Sequence, residues 1–351
     1  MIVRTLKLKL TKKQEVQIEG WLWNLTGVYN WAIKKIGNDA NDKIYYSEKT
    51  FQNKLADHSK TLSIPSHTIQ GTLLQAYNAW ERCFKKVSKK PHLKGQRNKL
   101  HSIPFTDAIK PPKDGRIGIP GVGKVKFHKQ ELPNAKIKCG RILKKASGWY
   151  LCLWLDTDNK FPVKDTDRAV GIDPGFETLL TLSDGNKFDN PRELHKGAER
   201  LAQAQRGRDK MLSAHLQERQ ANRRNDRNHK ISRKLVENYK IICYSDDNFN
   251  DMARLFGKSV TEASLGDLVG KLTYKSNICG RQLIAVNSKN TTMTCSACGA
   301  LTGPTGLSGL AVRHWVCSAC GADHERDFNS SVVVLNAGLG MSLKENSNVL
   351  N

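Results

Sequence analysis

The chain has 351 residues, 38% of them apolar and 26% charged, a composition that supports globular cores and excludes wholesale disorder. Lys and Arg total 57 against 33 Asp and Glu, a formal charge of +24, which points to a polyanionic partner because each neutralised phosphate releases condensed counterions. No apolar run reaches the roughly 18 residues of a membrane span, and MIVRTLKLKL alternates apolar and basic residues where a secretory signal would be continuously apolar, so a cytoplasmic protein with no membrane partner is expected.

Residues 2–10 read as a strand by this alternation. Leu22, Trp23, Leu25, Val28, Tyr29, Ala32 and Ile33 recur at helical spacing and predict a helix over about 12–36. A second helix, over about 67–88, carries Leu73, Leu74, Tyr77, Trp80 and Phe84. From Lys85 to Phe105 there are seven Lys or Arg and no acid, with Pro91 and Gly95 breaking regularity. This stretch reads as a solvated loop or as a phosphate-contacting arm, and its one-signed charge favours the arm. Residues 115–157 hold short alternating strands joined at Gly-containing turns. The fold class expected is therefore α/β and multidomain. It opens with a basic β-barrel carrying an inserted helical lobe, and the FPVKDTD stretch serves as a linker.

The second half restarts at Arg168 with RAVGIDPGFETLLTLSDGNKF. An apolar strand delivers Asp173, a Pro-Gly turn follows, and a second strand ends at Asp184-Gly185. Residues 191–238 read as one or two long polar helices in which basic residues outnumber acids. Then come a buried-type strand in KIICYSDDN, a helix over about 260–279, the strand RQLIAVN and, after the cysteine pairs, a short helix in DFNSSVVVLNAG. This order suits a mixed α/β sheet.

Nine cysteines with no disulfide-like framework fit a reducing compartment. Cys83, Cys139, Cys152, Cys243 and Cys279 are scattered and read as small core residues or semi-exposed thiols. Cys295, Cys298, Cys317 and Cys320 form two Cys-x-x-Cys-Gly copies with 18 residues between them. Each pair can bring both thiolates to one ion, the following Gly permits the tight turn, and four soft ligands suit one structural zinc. His314 and His324 lie nearby and are expected to meet solvent or phosphate.

Two acids stand where an RNase H-like sheet would present them: Asp173 after its strand, and Asp327 at the start of the last helix. Hydrolysis of a phosphodiester by this route uses two divalent metals about 4 Å apart, so a third carboxylate is needed. Magnesium is the metal expected, because it prefers carboxylate oxygen.

At these residues the chain resembles a family. GIDPGFETLLTLSDG is similar to the first RuvC motif of TnpB, the protein encoded by many small bacterial transposons. TCSACG with WVCSACGADHERDFNSSVVVL resembles that family's zinc ribbon and third RuvC motif. The resemblance covers about 168–340 and is architectural before that. It implies a wedge-like β-barrel over 1–160 with a helical recognition insert over about 12–112, which binds nucleic acid. It implies further a RuvC nuclease domain over 161–290, a zinc ribbon that binds target nucleic acid over 291–322, the last RuvC motif over 323–340, and a tail over 341–351. The activity implied is that of an RNA-guided DNA endonuclease. Its partners would be a guide RNA from the transposon end and double-stranded target DNA beside a short adjacent motif, in a bacterial or archaeal cytoplasm with no protein oligomer required. A junction resolvase would share the RuvC fold but needs neither the ribbon nor the basic front half. No Tyr or His-x-His motif suggests a cutting-and-joining transposase.

The second RuvC motif departs from the family. It usually ends Glu-Asp-Leu, whereas this strand ends Tyr244-Ser245-Asp246-Asp247-Asn248, with Ser245 in the Glu position. Three readings stay open. Glu262, on the next predicted helix, supplies the carboxylate, so that Asp173, Glu262 and Asp327 hold magnesium. Alternatively, Asp246 or Asp247 serves after a slip. In the third reading cleavage is lost and an RNA-guided DNA-binding repressor remains. Ser259-Val-Thr-Glu262 also fits a capping box, which would place Glu262 in the first turn of its helix.

Overall fold

The computed structural model describes residues 2–53, 62–106, 109–157, 163–306 and 308–341, in two compact units, Met1–Asp158 and Asn159–Asn351. The first two residues of FPVKDTD, and the expected tail beyond Met341, lie outside the described residues.

In the first unit, β1 (Ile2–Lys9) alternates as expected, with Leu6 and Leu8 buried and Lys7 and Lys9 exposed. Thr11 then starts α1 (Lys12–Asn41) with a capping box: its hydroxyl accepts from Gln14 N at 3.3 Å, and its own N–H donates to Gln14 Oε1 at 3.1 Å. The helix outruns the predicted 12–36 because its last turn is pinned. Asp39 is buried there, and it accepts from Lys35 at 2.8 Å and from the Tyr46 hydroxyl at 2.5 Å. After the short α2 (Glu48–Asn53) comes α3 (Ser66–Phe84), which stops before the predicted residue 88, where Lys86 takes φ 58°. The two long helices share a core of Leu22, Leu25, Ile33, Leu73 and Trp80, and the Trp80 indole donates to Ile33 O at 3.0 Å. A Cβ on Gly37 would meet the Trp80 ring at 2.8 Å, so this crossing requires glycine.

The rest of the unit is β2 (Ser102–Phe105), β3 (Arg116–Ile119), β4 (Gly123–Phe127), β5 (Lys136–Lys145) and β6 (Gly148–Asp156). They form an antiparallel sheet in the order β2-β5-β6-β1-β4-β3. β1 pairs with β6 over Ile2–Lys7 and with β4 at Leu8 and Lys9.

In the second unit, β7 (Ala169–Pro174), β8 (Thr178–Leu182) and β9 (Lys187–Asp189) run antiparallel. The chain then forms α4 (Glu193–Lys196), α5 (Ala198–Arg206) and α6 (Lys210–Asn238), and returns to β10 (Ile241–Ser245), parallel to β7. Next come α7 (Phe249–Ala263), α8 (Leu265–Cys279) and β11 (Gln282–Val286), which is parallel to β10. A hairpin of β12 (His314–Val316) and β13 (Asp323–Glu325) leads into α9 (Arg326–Leu339). The sheet order is β11-β10-β7-β8-β9. Successive residues of β10 face opposite layers: Ile242 joins the core with Leu235, Leu268 and Leu272 of α6 and α8, while Cys243 packs with Val334 of α9. Any Cβ on Gly171 would run into the Ser331 carbonyl, so glycine lets α9 lie close on β7.

One prediction is corrected here. The helix expected over about 260–279 is two helices, broken at Ser264, which takes φ 53°. Side chains of α6 satisfy the carbonyls freed at the break: Arg227 Nη2 donates to Ala263 O at 2.5 Å, and Asn228 Nδ2 to Ser264 O at 3.0 Å. Glu262 therefore sits in the last turn of α7 and caps no helix of its own. Among the described residues no helix is long and apolar enough to cross a membrane.

Candidate active site and four-cysteine centre

Strand ends and helix termini of the second unit surround a cavity of about 650 Å³. Asp173, at the end of β7, lines it, and its carboxylate accepts from the Ser330 hydroxyl of α9 at 2.7 Å. Burial pushes the Asp173 carboxyl up to about 8; Ser330 opposes the shift, and the negative charges of Asp327 and Asp247 add to it. Asp327, in the first turn of α9, lines the same cavity. Arg326 holds it at 2.8 Å, and Arg313 approaches at 3.4 Å.

The candidates for the third carboxylate divide. Asp247 lines the cavity just beyond β10, and the Ser245 hydroxyl donates to it at 2.7 Å. Burial raises its pKa, against hydrogen bonds from Ser245 and Ser288. Asp246 is exposed and does not line the cavity. Glu262 is buried and lines the cavity from the end of α7, with each oxygen accepting a backbone amide: Leu194 N at 2.8 Å and His195 N at 3.2 Å. In place of a cap on its own helix, Glu262 serves the orphan amides at the start of α4. Each of its oxygens keeps a second lone pair free for a cation.

Arg192, Lys258, Arg313 and Arg326 share the lining with these acids, and Phe176 and Phe256 add a tilted ring pair at 6.1 Å. Carboxylates that could hold a cation, beside guanidinium groups that could meet phosphate, would suit phosphodiester hydrolysis. Sequence reasoning missed Arg313 and Arg326, the two that pair with Asp327. Arg326 carried a signal, its adjacency to Asp327; Arg313 reaches the acids only through the fold.

The sulfurs of Cys295, Cys298, Cys317 and Cys320 all lie within 4.8 Å of one another. Cys295 to Cys320 and Cys298 to Cys317 are each 3.7 Å. Four thiolates about 2.3 Å from one tetrahedral ion would stand about 3.8 Å apart, a spacing these two pairs already have, so the cluster could hold a metal ion. Gly299 and Gly321 take φ of 80° and 76°, and their amides turn back to Cys295 O at 2.9 Å and Cys317 O at 2.8 Å. These are the turns for which the sequence reserves glycine. His324 is corrected: it meets neither solvent nor phosphate but is buried, with Nε2 3.0 Å from Cys295 Sγ and its ring 4.7 Å from Trp315. His314 is exposed. Asn329 links the first knuckle to α9, accepting from Ser296 N and donating to Thr294 O, both at 2.8 Å.

Two family models match this chain: a probable transposase over residues 153–255 and a Cas12f1-like TNB domain over residues 266–334. A putative RNA-guided DNA endonuclease of Streptomyces pristinaespiralis is 28% identical over 310 residues, 82% of this chain and 75% of that protein. The putative RNA-guided DNA endonuclease InsQ of Escherichia coli (strain K12) is 24% identical over 304 residues, 78% of this chain and 75% of its own. TnpB-like protein L79 of Acanthamoeba polyphaga mimivirus is 27% identical over 211 residues, 51% of this chain and 39% of its own. These matches make the chain similar to TnpB-like proteins and to proteins named as RNA-guided DNA endonucleases. Asp173 and Asp327 meet at one cavity, and Ser245 of the same lining holds Asp247.

Proposed function

We propose that this chain is a TnpB-type protein, an RNA-guided DNA endonuclease that cleaves target DNA beside a short adjacent motif. The observation that carries the proposal is the convergence of Asp173, Asp247, Glu262 and Asp327 on one cavity, close enough that Asp327 and Asp247 act on the Asp173 carboxyl. The names of the two most extensive relatives described above and the charge of +24 support nucleic acid as substrate and partner. The second unit reads as an RNase H-like RuvC domain, a reading the strand order β11-β10-β7-β8-β9 with helices on both faces supports. The four-cysteine segment reads as its zinc ribbon. The first unit reads as a wedge-like barrel with a helical recognition insert, which binds guide RNA from the transposon end and inspects the adjacent motif.

Asp173, Glu262 and Asp327 would hold magnesium, and the two ions when bound supply an activated water and stabilise the leaving oxygen. Asp173 gives up its proton for this, so the free site is poised between a protonated and an ionised form near neutral pH. The amides of Leu194 and His195 keep Glu262 oriented toward the cavity. Arg326 fixes Oδ1 of Asp327 and Arg313 approaches Oδ2 at 3.4 Å, so a cation at Asp327 would share that second oxygen with Arg313. A second reading puts Asp247 in the place of Glu262, favoured by the effect of its charge on Asp173.

The test is expression with the native flanking DNA. One structured RNA of fixed ends should copurify, and the complex should cut a matching plasmid in magnesium only beside a fixed short motif from a randomised flank. Random cellular RNA alone would remove the guide, and equal use of all flanks would remove the motif. Guided binding without cutting in magnesium or manganese would leave a DNA-binding repressor.

A further inference from the structure

The first unit contains an aromatic cleft that the nuclease reading leaves without a role. A cavity of about 170 Å³ opens between the end of α1, the segment after it and the last turns of α3. Tyr45 and Phe84 flank it at 68% and 47% exposure, edge to face at 6.0 Å. Phe84 stacks on Trp80 at 5.3 Å and 27°. The deeper polar atoms are already engaged, since Tyr46 donates to Asp39 and Tyr77 donates to Tyr46 O at 3.2 Å. What remains is flat ring surface, open on one side.

The charge around the cleft identifies its occupant. Lys85, Lys86, Lys89 and Lys90 follow directly on Phe84, and Lys90 Nζ lies 5.7 Å from the Trp80 ring centroid. Glu81 lines the cavity itself and pairs through one oxygen with Lys85 at 2.9 Å, so the cavity offers a phosphate no cation inside, while Lys86, Lys89 and Lys90 attract one outside. The volume is below the roughly 300–1,000 Å³ of ligand pockets and suits one planar ring system, not a whole nucleotide. An unpaired base whose flanking phosphates lie on the lysines fits all three facts. RNA is favoured over DNA because structured RNA presents splayed bases, and because its 2′-hydroxyl offers the Glu81 carboxylate a donor that DNA lacks.

We propose that the Tyr45–Trp80–Phe84 cleft captures a single extruded base of the bound RNA. This rests on the reading that RNA is a partner, and its test does not need the native guide. Two synthetic RNA hairpins of one sequence are compared with the full chain, one fully paired and one with a single bulged 2-aminopurine. Stacking worth about 1–3 kcal/mol per base corresponds to about 5- to 150-fold in affinity. The bulged hairpin should bind tighter within that range, with its fluorescence quenched. Tyr45→Ala with Phe84→Ala should erase the preference and the quench, leaving the paired hairpin bound within about twofold. Tyr45→Phe with Phe84→Tyr should keep both. Thermal melts check folding, and Tyr45→Ala alone, at the most exposed ring, replaces the double variant if that unfolds. Equal binding of the two hairpins by the unmutated chain, or a preference that survives loss of both rings, overturns the proposal. An equal preference for a bulged DNA hairpin overturns the assignment to RNA. Failure of any defined RNA to copurify would count against the guided reading and leave this result standing.

Discussion

The Ser245 hydroxyl donates to Asp247 Oδ2 at 2.7 Å. The strand end for which the resemblance to TnpB implies Glu carries a neutral side chain, and its hydroxyl orients the acid two residues on. Ser245 is buried. Asp247 is thereby held on the cavity wall with Asp173, while Asp246 is turned to solvent.

Two variants decide which acid completes the site. Glu262→Gln should lower guided cleavage by about 100-fold or more, the scale at which even outer partners of a bound metal matter. RNA and DNA binding should hold. An amide in that place also turns an N–H₂ toward Leu194 N or His195 N, at a cost of about 1–3 kcal/mol, so melts must accompany the assay. If Asp247→Asn abolishes cleavage and Glu262→Gln does not, Asp247 is the third ligand.

Protonation of Asp173 should show in stability and in metal binding. Its folded pKa is raised, so its contribution is full below the ordinary carboxylate range and is lost as pH rises to about 8. In chelator, the melting temperature should therefore fall between about pH 4 and 8, and Asp173→Asn should flatten that slope. Magnesium affinity should rise over the same window, because binding displaces the proton. A pH-independent affinity in calorimetry would show that Asp173 is ionised throughout.

Arg227 should matter without touching the reacting groups. Its guanidinium meets the carbonyls of Glu262 at 3.5 Å and Ala263 at 2.5 Å at the break between α7 and α8. Arg227→Ala should cost about 1.5–3 kcal/mol in urea unfolding, the scale of a charged hydrogen bond. Cleavage should fall more steeply than stability because Glu262 loses its anchor.

Elemental analysis should find one zinc per chain, held by the four cysteines. Cys295→Ser should expose thiols to titration and reduce cleavage as well. Asn329 joins Thr294 and Ser296 to the helix that carries Asp327, so an unfolded knuckle loosens the acid site. Full cleavage by a zinc-free chain would break that link.

Local pattern alone determined much of this molecule. The alternation in β1, the apolar stripe of α1 and the Cys-x-x-Cys-Gly knuckles are short-range constraints, set by pleat, helical pitch and the left-handed glycine of a tight turn. Asp173 and Asp327 were legible for the same reason, since each stands at an element end that its own neighbours define. Tertiary structure decided what depends on partners distant in the chain. The capping-box pattern at Ser259 was overridden because Ser259 lies inside α7, which Arg227 and Asn228 help to end at Ser264, and Glu262 found its amides in α4 instead. His324 was drawn inward to Cys295, and the β12–β13 hairpin brought Arg313 beside Arg326 and Asp327. A buried polar group takes whichever partner the packed core offers, because leaving it unpaired costs about as much as the local motif would gain.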